Sequence, residues 1–262
     1  MSDTLDVGAL DDTTRDALKR LILSLADSKR LMGIRYSDWN LGAPTIETGI
    51  AMSSMTQDEW GHARLLYSMV KELDLDPVAL EHDRSADEYA NLGTVDAEFP
   101  NWAAAVAGMV IADGAMSAAL EAFSRGSFEP AQTRVPKMLA EEEFHSNLAT
   151  AWYRRLAESS GEAKSLLVEA TAEMLPDALA WLSANDDASQ ALVAAGVTDS
   201  GADTVGAFRD AVRDLLASAG VDVDSAEPAA GWDPARGRGP GQPDDESVGR
   251  ARGDLNRALL VE

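Results

Sequence analysis

Two Glu-x-x-His segments, Glu59-Trp60-Gly61-His62 and Glu142-Glu143-Phe144-His145, lie inside apolar helical stripes, and this placement constrains the fold more than any other feature of the chain. Residues i and i+3 share a helical face, so each segment aims a carboxylate and an imidazole at one point. In one stretch Met52, Met55, Glu59, His62, Leu66 and Met69 advance by alternating steps of three and four. In another, Val135, Met138, Glu142, His145, Ala149 and Trp152 do the same. Both pairs therefore face a core, where an uncompensated carboxylate costs several kcal/mol, comparable with the stability of a whole domain. Two such pairs facing one interior require a shared cationic partner, and a metal pair supplies it most simply.

The remaining pattern is all-α. Apolar residues recur at helical spacing over roughly 12–37, 45–73, 101–125, 131–158, 163–183 and 203–219, and no run alternates with the period of a half-buried strand. Asn40–Pro44 and Gly126–Pro130 are the breaks inside two helical hairpins, and a connection over about 74–100 joins the hairpins. This is the layout of a four-helix bundle with one crossover and additional C-terminal helices. The expected organisation is a flexible N-terminus over 1–11, a helical domain over 12–220 and an acidic Gly/Pro-rich tail over 221–262, flexible or loosely attached. The tail's Gly-Arg-Gly-Pro-Gly lacks the Gly-Lys-Ser/Thr of a phosphate loop.

A third helix adds a carboxylate. Val106, Met109, Asp113, Met116, Leu120 and Phe123 form its stripe, with Asp113 the one charge. Asp113 and Glu142 are equidistant from the Ser127–Phe128 turn, so an antiparallel hairpin sets them at the same height, about 20 Å from the turn. One carboxylate from each of two helices and Glu-x-x-His from each of two others is an arrangement that holds paired iron or manganese ions. The same interval counted back from Glu59 lands on Arg30, with Asp27 one turn earlier. Either Asp27 completes the metal set while Arg30 turns aside, or Arg30 points inward and neutralises the carboxylates without metal. Glu121 is a fallback ligand in poorer register. Glu47 and Asp58 are expected to face solvent or the far side of the bundle, and His82 to be a loop histidine.

Arg35-Tyr36-Ser37-Asp38-Trp39 with Ala43-Pro44-Thr45, then Gln57-Asp58-Glu59-Trp60-Gly61-His62-Ala63-Arg64, Ala112-Asp113-Gly114-Ala115 and Glu141-Glu142-Glu143-Phe144-His145 resemble the ferritin-like subunits of bacterial phenylacetyl-CoA epoxidase. The resemblance covers about residues 15–220. It implies a ferritin-like bundle and a multicomponent monooxygenase that acts on an aromatic acyl-CoA and takes its electrons from a reductase. It also implies a homologous ferritin-like partner subunit. The catalytic A-type subunit carries two irons, with manganese possible in such a site, and the C-type subunit is structural. Ligand roles are implied for Glu59, His62, Asp113, Glu142 and His145. The catalytic type has Glu where Arg30 stands, and Trp181-Leu182 through Asp186-Asp187-Ala188-Ser189-Gln190-Ala191-Leu192 is more like the C type. The expected function is therefore a di-iron monooxygenase subunit. The alternatives are a structural subunit with a degenerate site, or an iron- or manganese-binding bundle without organic substrate.

Composition narrows the other classes. Forty-five acidic against 22 basic side chains leave a net charge of −23, which gives no electrostatic footprint for nucleic acid or an anionic membrane. With no cysteine there is no disulfide framework, thiolate metal site or cysteine nucleophile. The start, MSDTLDVGALDDTTR, is polar and unlike a signal peptide, and the apolar stretches read as too short and interrupted to span a bilayer. Together these suggest a cytoplasmic chain whose Asp-rich surface suits concentrated salt. An anionic CoA ligand would need a local basic cluster, for which Arg154 and Arg155 are candidates, or contacts from a partner.

Overall fold

Helix α1 (Asp12–Asp38) starts where the Asp11 carboxylate accepts a hydrogen bond from Thr14 N, and α2 (Ile46–Tyr67) starts where Thr45 caps Thr48 N in the same way. The computed structural model describes residues 5–259. After α2 a 3-10 segment (Ser68–Leu73), the short helix α3 (Pro77–His82) and further single turns make up the crossover. The chain then returns through α4 (Trp102–Gly108), a π turn (Met109–Asp113) and α5 (Gly114–Arg125), which are continuous, and through α6 (Glu129–Ala157). Helices α1, α2, α4–α5 and α6 form the four-helix bundle. α7 (Glu162–Leu182), α8 (Asp187–Ala194) and α9 (Gly201–Ala219) pack on its flank, and α10 (Asp245–Arg252) lies against α1 and α3. No β-strand occurs among the described residues.

α1 is buried on every side along Ile22–Tyr36 because α2, α5, α8, α10 and the crossover all pack on it. At Gly33 it packs tightly on α2, where a Cβ would meet the Trp60 ring at 2.5 Å. Trp102–Arg125 is long and apolar enough to cross a membrane, contrary to the sequence expectation, but 83% of its most apolar window is buried in the bundle. It is the core helix.

Residues 221–259, the Gly/Pro-rich segment, lie along the bundle. Arg238 is fully buried, donating to Asn91 Oδ1 at 2.7 Å and pairing with Asp96 Oδ2. Ala229 N donates to Pro176 O, and Arg250 pairs with Asp38 at 2.7 Å. Arginine contacts of this kind hold a segment with few aliphatic side chains, and aliphatic periodicity gives no sign of them. At the other end Val7–Ala9 form a 3-10 turn and Leu5 N bonds Ser127 O, while residues 1–4 and 260–262 lie outside the described chain.

Candidate functional site

The apolar stripe of α1 runs Leu18, Ile22, Leu25, Met32, Tyr36, and the one step of seven in it is filled by Lys29. All six side chains are essentially inaccessible, Lys29 at 0%. Lys29 thus occupies on α1 the place that Glu59 occupies on α2, between Met55 and His62. Its ammonium donates to Asp113 Oδ1 at 2.7 Å, Glu142 Oε1 at 2.5 Å and Glu59 Oε1 at 3.0 Å, one acceptor from each of three other elements. A π turn that ends on Asp113 sets that carboxylate in the core, a common use of such turns.

Around this ammonium the expected residues converge. One donor atom each from Glu59, Asp113, Glu142 and His145 falls within a mutual 4.8 Å. His145 Nδ1 stands 3.2 Å from Asp113 Oδ2, 3.2 Å from Glu142 Oε2 and 3.4 Å from Glu59 Oε1. His62 Nδ1 lies 3.0 Å from Glu142 Oε1, though misaligned for a hydrogen bond, and its Nε2 is 2.8 Å from Glu141 Oε2. Tyr36 donates its hydroxyl hydrogen to Asp113 Oδ2 at 2.6 Å. The equal-height argument for Asp113 and Glu142 therefore describes the geometry well.

Asp27 does not join them. Its carboxylate accepts from Arg84 and the Tyr67 hydroxyl on one oxygen, and from Arg84 Nη1 (2.9 Å) and Ala90 N (3.0 Å) on the other, so it anchors the crossover to α1. Asp27 points away from the core stripe, and a buried arginine satisfies it there. Arg30 also turns aside: its Nε donates to Ala251 O at 2.7 Å beneath α10, and its guanidinium lies 5.6 Å over the Trp60 ring. The neutralising cation is the neighbouring residue, Lys29, and the seven-residue step in the α1 stripe was its sequence signal. Asp58 was expected to face away, yet its Oδ2 is 3.4 Å from His145 Nε2. Glu121 pairs at the surface with Arg125, and His82 Nδ1 donates to Arg252 O at 3.0 Å. Arg154 and Arg155 are exposed, with Arg155 stacked 4.8 Å over Trp152.

The electrostatics close without an added ion. Burial opposes the Lys29 charge, but Asp113, Glu142 and Glu59 outweigh it and hold the ammonium well above its ordinary pKa. Burial raises Glu59 to about 7, with Lys29 opposing the rise and the neighbouring carboxylates adding to it. Asp113 is pushed the other way, well below its usual range, because Lys29 and His145 overcome its burial. Glu142 is lowered as well: burial and Asp113 raise it, but Lys29 and the two histidines prevail. His145 and His62 are raised, since their carboxylate contacts outweigh burial. Glu59, Asp113 and Glu142 thus face one ammonium and two histidines biased towards imidazolium, with Glu141 and Asp58 on the outer nitrogens of the histidines.

Carboxylates and imidazoles suit iron or manganese as donor types. Two divalent ions would nevertheless have to displace the Lys29 ammonium, which stands at the focus a bridging ion would need. As built, the site does not fit a metal pair.

A helical bundle whose interior holds a carboxylate–imidazole cluster of this kind defines a ferritin-like protein. A family model described as phenylacetic acid catabolic protein matches residues 1–238, and the chain belongs to that family. The match extends past the ferritin-like helices into the C-terminal segment and ends at Arg238. A search of curated proteins finds no match to the chain.

Proposed function

We propose that this chain is a structural subunit of a multicomponent, oxygenase-type complex of phenylacetate catabolism, one that acts on an aromatic acyl-CoA. It would hold a homologous oxygen-activating subunit rather than activate oxygen itself. The observation that carries this reading is the Lys29 ammonium, within 3.0 Å of carboxylate oxygens of Glu59, Asp113 and Glu142. Lys29 ties α1 to α2, the π turn and α6 as a bridging metal would, without a redox-active centre. Membership of the family supports the pathway. Ile46 and Ile50, exposed on one face of α2 with Leu41 in the loop before it, support a protein partner. The test is anaerobic Fe(II) loading of the purified chain, followed by desalting and iron analysis. Sub-stoichiometric iron is expected, together with reductase-fed oxygenation only when a homologous subunit is added.

One observation favours a second reading, in which the chain binds metal itself: Glu59 Oε2 and Glu142 Oε2 are buried without a hydrogen-bond partner. Glu59, His62, Asp113, Glu142 and His145 would then hold iron or manganese, which supplies oxygen chemistry when bound, and Lys29 would vacate the focus. Stoichiometric iron after loading decides for this reading.

A further inference from the structure

The bundle flank contains a cleft that the Lys29 cluster does not use. It lies where α1, α5, α8 and the start of α9 meet the loop around Trp232, and its volume is about 410 Å³. Small-molecule sites span roughly 300–1,000 Å³. Ser24, the lining residue of α1 nearest the cluster in sequence, is about 7.5 Å along the helix from Lys29.

Small side chains, Ala17, Ala119 and Ala122, line it together with the larger Trp181, Leu192 and Trp232. Both indoles are anchored. Trp181 Nε1 donates to Ser24 Oγ at 2.9 Å and Trp232 Nε1 donates to Asp186 Oδ2 at 3.0 Å. Rings already tied down lose little freedom when a ligand arrives. The charged groups at the rim are internally paired, Arg20 with Asp186 at 2.7 Å and Arg125 with Asp199 at 2.5 Å. Gly237, at φ 66°, lets the loop close on Arg20, whose Cδ a Cβ would meet at 2.6 Å. Asn185 and Thr198 add neutral polar groups to the lining. An anion would face the field of a chain carrying −23, and a cation would find the lining carboxylate Asp199 already paired with Arg125.

We propose that this cleft is a binding site for an uncharged, flat, apolar molecule of one to three rings, with a hydroxyl or carbonyl directed to Asn185 and Thr198. The assignment is independent of the subunit role above. It is tested with the full chain by calorimetric titration and tryptophan fluorescence, using 2-naphthol as the probe and naphthalene-2-sulfonate as its anionic counterpart. One 2-naphthol per chain is expected, with a Kd on the order of 10–100 µM and a negative heat-capacity change. The sulfonate should bind at least about ten-fold more weakly. Ala119→Phe fills the cleft and should weaken 2-naphthol binding by about ten-fold or more. Val193→Trp, at an exposed lining position, blocks the cleft without touching the core and should do the same. Absence of saturable binding, equal binding of the sulfonate, or undiminished binding in the folded variants overturns the proposal.

Discussion

Replacing Lys29 with glutamate inverts the charge at the centre of the bundle, and its consequences follow from the three contacts the ammonium makes. Lys29→Glu shifts the cluster by two charges towards negative and leaves Asp113, Glu142 and Glu59 without their common donor. Breaking one buried ion pair by removing a partner costs about 3–5 kcal/mol. Three carboxylates lose theirs here, so the metal-free variant should lose at least about 5 kcal/mol. For a chain of this size that corresponds to a fall in Tm of roughly 10–20 °C. The variant then carries four carboxylates and two imidazoles with no ammonium at their focus, which is the donor set a divalent pair needs. Mn²⁺ or Zn²⁺ should therefore restore much of the loss, about 2.7 kcal/mol at a hundred-fold excess over Kd, whereas wild-type stability should not respond to either ion. Differential scanning fluorimetry with and without metal, alongside metal analysis, reads both effects. The charge argument fails if the wild type binds metal stoichiometrically, or if Lys29→Glu is as stable as wild type without metal.

Other perturbations separate the site from its supports. Stability of the metal-free chain should decline from about pH 6.5 towards pH 9, because the raised His145 and His62 stabilise the fold fully only below their unfolded pKa. Glu59, raised to about 7, acts in the same direction between about pH 4.5 and 7, while the lowered Asp113 and Glu142 withdraw support below about pH 4.5. Each proton retained only in the folded state contributes a slope of about 1.4 kcal/mol per pH unit, and urea midpoints that stay flat or rise between pH 6.5 and 9 would contradict this. Asp27→Ala strands the buried Arg84 guanidinium and should cost about 3–5 kcal/mol while leaving the chain's response to metals unchanged, as measured by chemical denaturation. Arg238→Ala removes the contacts to Asn91 and Asp96, and should raise amide exchange in residues 221–252 ahead of global unfolding.

The two Glu-x-x-His pairs and Asp113 were legible because helical periodicity reports which face a residue occupies, and hairpin symmetry reports its height. Those two rules set the bounds of the six long helical stretches within a few residues, though not those of α3, α8 and α10, and brought Glu59, Asp113, Glu142 and His145 to one focus. On α1 the same periodicity already contained Lys29, in the step between Leu25 and Met32. The interval counted back from Glu59 pointed instead to Arg30, one residue beyond Lys29, and residue type pointed to Asp27.

The chain's own pattern determined the helices, their stripes and the gathering of charged groups into an apolar interior, since these are local consequences of a 3.6-residue repeat. Tertiary structure decided where the neighbouring charges go. Lys29, Arg30 and Asp27 sit within one turn; the stripe of α1 already turns Lys29 to the core, and the packing of α2, α10 and the crossover around α1 sends Arg30 beneath α10 and Asp27 to Arg84. It likewise decided the course of residues 221–259, whose arginines find partners far away in sequence that no local periodicity encodes.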